Sequence, residues 1–269
     1  VSHQPGSPVG RLPGIRGMLS LRLAIIGMTM RVLEQGIDRD EDIRSALDAG
    51  APASDPQLEA AVLGIIAQVR QRGDEALMEL GRKFDSDDLD ALSVDPAELR
   101  RALLALPLEL RSSMERAAEN IRRFHVQEKA ESWVSTRGGT SLGQLVRPLE
   151  SVGVYVPGGR AAYPSTVLMT VIPAQVAGVP HVAVASPCGQ GGRLPDSVMA
   201  ACVLCGVEKV YRVGGAQAIA AFAFGTQTIA RVDKVVGPGN QYVNSAKRLL
   251  FGHMGIDSLA GPSEVLVIA

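Results

Sequence analysis

At 269 residues the chain is long enough for one large domain or two ordinary ones, each able to bury its own core. Its 46% hydrophobic and 20% charged residues place it with globular enzymes and not with disordered or fibrous chains, and 4% aromatic residues require cores built from aliphatic side chains. Lysine and arginine number 27 against 28 acidic residues, and the resulting formal net charge of −1 leaves no electrostatic footprint for nucleic acid or an anionic membrane, so both are excluded as partners.

Residues 1–17 carry three prolines and four glycines with no apolar period, and the apolar stretch from Leu19 to Met30 is broken by Arg22. A secretory leader needs a cleaner apolar core, and a membrane span needs about 20 uninterrupted apolar residues. Residues 1–30 therefore read as a disordered extension, with the fold beginning near Met28 or Met30.

Residues 31–151 read as a helix-rich first domain. Between Pro56 and Phe84, Leu58, Val62, Ile65, Ile66, Val69, Leu77 and Leu80 recur at three- and four-residue spacing, and Gly73-Asp74 is expected to break one helix and cap the next. Asp95-Pro96-Ala97-Glu98 is a second start signal: Asp95 can cap, Pro96 suits the first helical position, and Glu98 lies where the helix dipole favours an anion. A further helix is predicted from about Leu108 to Gln127, its alternating charges forming a solvated face. Trp133 to Leu149 then reads as a hairpin or linker that turns at Arg137-Gly138-Gly139-Thr140. Nothing in this stretch asks for a role beyond scaffold.

Residues 152–262 form an α/β domain with a parallel sheet. The apolar runs Val152–Val156, His181–Ala185, Val210–Val213 and Val232–Val236 are separated by helical stretches at the spacing of βαβ units. Their almost continuous hydrophobicity suits strands covered by helices on both faces. Each run ends in a glycine-bearing turn: Pro157-Gly158-Gly159, Gly189-Gln190-Gly191-Gly192, Gly214-Gly215, and Gly237-Pro238-Gly239. In a parallel sheet these turns share the carboxyl edge, where ligands bind, and the following helices aim free N–H groups at anions. No G-x-G-x-x-G is present. Tyr155, Gln217 and Asn240 lie at three of these turns and can hydrogen-bond a ligand, so the spacing marks a ligand edge without naming the ligand.

The three cysteines, Cys188, Cys202 and Cys205, are an odd number in a long chain, which argues for a reducing compartment and against a disulfide framework. Cys202 and Cys205 form a C-x-x-C on what reads as an apolar helix face and are expected to be inert. Of the four histidines, His3, His125, His181 and His253, none has a second histidine at a ligand spacing.

Several long motifs carry a family resemblance. Val152-Gly153-Val154-Tyr155-Val156-Pro157-Gly158-Gly159, Val213-Gly214-Gly215-Ala216-Gln217-Ala218, Val232-Asp233-Lys234-Val235-Val236-Gly237-Pro238-Gly239-Asn240 and Ala260-Gly261-Pro262-Ser263-Glu264 closely resemble histidinol dehydrogenases. The earlier Arg72-Gly73-Asp74-Glu75-Ala76-Leu77 and Lys83-Phe84-Asp85 fit the same family, so the resemblance runs from about residue 35 to the last residue. It implies a Rossmann-like sheet lacking GxGxxG and a zinc-dependent, cytoplasmic homodimer. That enzyme oxidises L-histidinol through the aldehyde to L-histidine in two NAD-dependent steps. It implies NAD contacts for Tyr155, Gln217 and Asn240 and a substrate contact for Ser263. The family's zinc ligands and its Glu-His acid/base pair follow the G-P-S-E motif and are expected beyond Ala269, so no catalytic residue and no metal ligand is expected among residues 1–269. Residues 263–269 read as a strand returning to the first domain, which the resemblance implies is incomplete within residues 31–151. The chain accordingly reads as the N-terminal portion of such an enzyme, inactive alone. The alternatives are a relative oxidising another polar alcohol, such as a sulfonated propanediol, and a non-catalytic binding module.

Overall fold

The computed structural model describes residues 39–41, 55–159 and 161–259. The expectations for residues 1–30, for Ser263, for the strand that ends at Ala269 and for an acid/base pair and zinc ligands beyond Ala269 all lie outside these residues. The chain divides into two compact units, 1–51 and 52–269. Of the first only residues 39–41 are described, and 40 and 41 are helical.

In the second unit, helix α1 (Pro56–Arg72) starts on Asp55, whose side chain accepts from the N–H groups of Gln57 and Leu58. It ends at Gly73, whose φ of +56° suits a residue without Cβ. Helix α2 (Asp74–Phe84) follows at once, and here the sequence expectation needs correction. Asp74 does not cap its helix: its carboxylate accepts from the backbone N–H and the hydroxyl of Thr228, while its own N–H donates to Gln227. The helix pair is thereby tied to a loop more than 150 residues away. Helix α3 (Pro96–Ala105) begins as predicted, with Asp95 accepting from the Ala97 N–H, and helix α4 (Leu108–Glu128) follows with a mostly exposed surface. Strands β1 (Trp133–Arg137) and β2 (Thr140–Gln144) pair as the expected antiparallel hairpin, exposed along both strands.

The main sheet comprises β3 (Ser151–Tyr155), β4 (His181–Ser186), β5 (Lys209–Arg212), β6 (Lys234–Val236) and β7 (Gly255–Ile256), all parallel, in the order β5-β4-β3-β6-β7. β6 is shorter than the predicted run. Asp233, just before it, spends its carboxylate on the N–H and hydroxyl of Ser151. The chain leaves β3 toward one side through α5 (Pro164–Val176), β4, α6 (Asp196–Leu204) and β5. It crosses back through α7 (Gly215–Phe224) to β6 and through α8 (Gln241–Leu250) to β7. The strand order reverses between β3 and β6, and that switch point opens a crevice at the carboxyl edge.

The helices cover both faces. α5 and α6 pack with α4 and α3, whereas α7 and α8 pack with α1. One continuous aliphatic core runs from Val62 and Leu77 through Val154 and Val184 to Ile219 and Val235, so the helices of the expected first domain share it with the sheet. Arg212, 7% exposed at the end of β5, binds this layer by donating to the carbonyls of Ala91 and Ser93 and to the Glu98 carboxylate. No helix among the described residues is long and apolar enough to cross a membrane.

Candidate functional site

The turns after β3, β4, β5 and β6 surround a cavity of about 810 Å³, whose lining includes Tyr155, Gln217 and Asn240 together. The three residues that sequence spacing placed on one edge are thus neighbours of one space.

Each reaches it differently. Tyr155 ends β3 and is 3% exposed, and its phenol oxygen accepts the Gly215 N–H at 3.1 Å, which ties β3 to the turn beyond β5. Burial pushes its pKa up to about 12, offset in part by that hydrogen bond and reinforced by the nearby Asp85 charge. It stays protonated at neutral pH, with an O–H to donate. Gln217 lies in the first turn of α7, is 2% exposed, and makes no hydrogen bond through its carboxamide to any described residue. Its amide end opens onto the cavity. Asn240 caps α8: its side-chain oxygen accepts from the N–H groups of Tyr242 and Val243 at 3.0 and 3.1 Å. Its amide NH₂ is left for another acceptor.

The turn carrying Asn240 is braced from below. Gly237 has a φ of +117°, and a Cβ there would overlap the Tyr155 carbonyl oxygen, so glycine is required by both torsion and space. Lys247, 1% exposed, donates to the Gly237 carbonyl at 2.5 Å and to Asp257 at 2.6 Å, and the other Asp257 oxygen accepts the Gly237 N–H at 2.8 Å. The pair holds both polar groups of one peptide residue at the switch point.

Asp85 belongs to this site, although sequence reasoning gave it no role there. Only its place after an amphipathic helix and within Lys83-Phe84-Asp85 marked it. It caps the C-terminus of α2, lines the cavity, and accepts the Gly214 N–H at 3.1 Å. Burial pushes its pKa up to about 6 against the lowering effect of that hydrogen bond.

The other chemistry-bearing residues lie elsewhere or are occupied. Cys202 and Cys205 are buried, and burial raises both thiols, Cys205 to about 11. Cys188 is buried beside the cavity, and its thiol is raised as well. His125 contacts Glu128, and His253 rests on the Phe224 ring. Among the described residues, no group of three or more His, Cys, Asp or Glu side chains could hold a metal ion. The described residues therefore do not fit a zinc ion.

Comparison with known proteins adds three findings. A profile of the histidinol dehydrogenase family matches residues 50–269. The histidinol dehydrogenase of Geobacillus kaustophilus is 56% identical over 210 residues, covering 78% of this chain and 50% of its own length, and that of Dechloromonas aromatica is 46% identical over 237 residues, covering 86% and 54%. The crystal structure of histidinol dehydrogenase from Elizabethkingia anophelis superimposes with a TM-score of 0.75 at 37% identity, over 79% of this chain and 49% of that one. The chain spans about half the length of the curated relatives it matches.

Proposed function

We propose, from the premise that the chain belongs to the histidinol dehydrogenase family, that residues 55–259 build the NAD-binding half of an enzyme that oxidises L-histidinol through L-histidinaldehyde to L-histidine. The observation that carries this reading is that the Gln217 carboxamide, bonded to no described residue, lines one cavity of about 810 Å³ with Tyr155 and Asn240 at the switch point of a parallel sheet. Dinucleotides bind at such crevices, and the cavity lies within the range of cofactor sites.

In this reading Tyr155, Gln217 and Asn240 hold the cofactor, which when bound supplies a hydride acceptor. The chain's own residues orient it and exclude water. Tyr155 donates its phenol proton while the Gly215 N–H fixes its ring, and Asn240 offers its amide from a helix start braced by Lys247 and Asp257. Pro157, Pro187 and the Phe84 ring make much of the wall apolar, which strengthens each polar contact inside. Ser263 is assigned to the substrate. The base that removes the hydroxyl proton, and the zinc ion the family implies, are assigned to none of the described residues, and no step is derived through the metal. The acting form is proposed to be a cytoplasmic homodimer of the protein at the length of its relatives, with the acid/base pair supplied from beyond Ala269.

The test is calorimetric titration with NAD, together with NADH formation from L-histidinol. The gene product at the length its reading frame encodes is expected to do both. Residues 1–269 alone are expected to form no NADH, and Gln217→Ala to weaken NAD binding by about tenfold or more, the cost of one well-placed polar contact. NADH formation by residues 1–269 alone refutes the division of labour, and unchanged NAD affinity in the Gln217 variant refutes the cleft.

A further inference from the structure

The N-terminus of the helix after a parallel strand is the usual seat for a phosphate, because its first N–H groups are free and its dipole end is positive. In α7 part of that seat is taken from within the protein. The Gly214 N–H donates to Asp85 Oδ2, and the Gly215 N–H donates to the Tyr155 hydroxyl, both at 3.1 Å. Asp85 arrives from α2, 129 residues earlier in the chain, and Gly214 makes room for it. A Cβ there would stand 2.9 Å from both carboxylate oxygens and 2.5 Å from Pro187.

Two side-chain polar groups remain available beside this partly filled seat. Asp85 Oδ1 makes no hydrogen bond to any described residue, and the Gln217 carboxamide, 2% exposed, lies against Gly215 with none either. One is a pure acceptor and the other can both donate and accept. The surrounding wall is Phe84, Pro187 and Cys188, and the described residues lining the cavity include no lysine or arginine. Above its own titration range Asp85 is thus the one full charge on the described wall. An acceptor carboxylate beside an amide suits a hydroxyl group, which donates to the first and accepts from the second. The same pair repels a phosphate dianion.

We propose that Asp85 is a specificity-determining residue of the cleft: its free oxygen accepts a ribose hydroxyl of an unphosphorylated dinucleotide, Gln217 donates to the same hydroxyl, and the Asp85 charge excludes the 2′-phosphorylated form. The inference rests on the cleft holding NAD, and it adds the residue that rejects a 2′-phosphate. A carboxylate on the ribose 2′-hydroxyl is the usual device in dinucleotide folds, where it follows the second strand. Here it comes from a helix outside the sheet, which is why no strand-based motif marks it.

The experiment is competitive calorimetry with NAD and NADP at pH 8, on the gene product at its encoded length. Wild type is expected to favour NAD by about tenfold or more, since like charges brought together in a poorly screened site cost at least about 1.4 kcal/mol. Asp85→Asn keeps an oxygen for the Gly214 N–H and removes the charge. It is expected to cut the NAD preference by about tenfold, chiefly by tightening NADP. Gln217→Glu places a second charge at the same hydroxyl position and is expected to widen the preference, and it carries the comparison should the Asp85 variant fold poorly. An unchanged ratio in both variants, or a wild type that binds the two dinucleotides equally, overturns the role of Asp85 while the cleft stands. A wild type that binds neither overturns the cleft and this inference with it.

Discussion

Replacing Lys247 with methionine is expected to lower the melting temperature by roughly 6–12 °C. Methionine matches the lysine stem in volume, so little cavity forms. What is lost is the pair of charge-assisted bonds to the Gly237 carbonyl and to Asp257, made by an ammonium that is 1% exposed. What is left is a buried carbonyl without its donor and a carboxylate without its counter-charge. Removing one partner of a buried pair costs about 3–5 kcal/mol, and the 32% exposure of the Asp257 side chain argues for the low end, near 3 kcal/mol. At about 2–4 °C per kcal/mol for a chain of this size, that is the stated shift. Scanning calorimetry at neutral pH measures it, and the double variant Lys247→Met, Asp257→Asn should recover part of the loss because the stranded charge has gone. The penalty should also depend on pH. Burial raises the Asp257 pKa, but the Lys247 hydrogen bond and the N–H groups of Gly237 and Ser258 outweigh it and hold it below 3.8. Its stabilisation is thus complete above the unfolded value and is lost as pH falls through the lower folded one, so the Lys247 penalty should shrink below about pH 4. A melting temperature within about 1 °C of wild type, or a double variant that loses the full sum of the two singles, refutes the clamp.

Three further expectations concern the same edge and its support. Asp85 has a folded pKa of about 6, above its ordinary 3.8, so its stabilising share is full below pH 3.8 and is lost as pH rises through 6. Asp85→Asn should therefore raise the melting temperature at pH 8 and raise it by only about a third as much at pH 4.5; equal shifts at both pH values would contradict a buried carboxylate. Asn240→Ala should cost about 1 kcal/mol through the lost cap, and Asn240→Ser should restore stability but not NAD affinity, as melting and titration would separate. Gly153→Ala sets a Cβ 2.7–2.9 Å from the Phe222 ring and should destabilise by about 1–3 kcal/mol. Phe222→Leu in the same chain should relieve part of that cost, and simple additivity in denaturant unfolding would show that the two do not meet.

Much of this architecture was legible in the chain because its signals are local. The helices from Pro56 to Phe84 declared themselves through three- and four-residue apolar spacing, Asp95 through its cap signal, and the strands through short aliphatic runs ending in glycine. Those features depend on torsion and on neighbours a few residues away, so the sequence alone contains their cause. The order β5-β4-β3-β6-β7 was not legible, since each parallel strand shows the same continuous hydrophobicity whichever neighbour it takes. Short polar side chains were the least legible. Asp74 read as a cap and instead binds Thr228, and Asp85 read as part of a motif and instead fills the seat at Gly214. Lys247 carried no signal in the sequence and is buried under the switch point. Apolar periodicity decides which face of an element turns inward, but a carboxylate or ammonium spends its hydrogen bonds on whichever donor or acceptor the packed elements bring within about 3 Å, and that is settled only when the chain closes on itself.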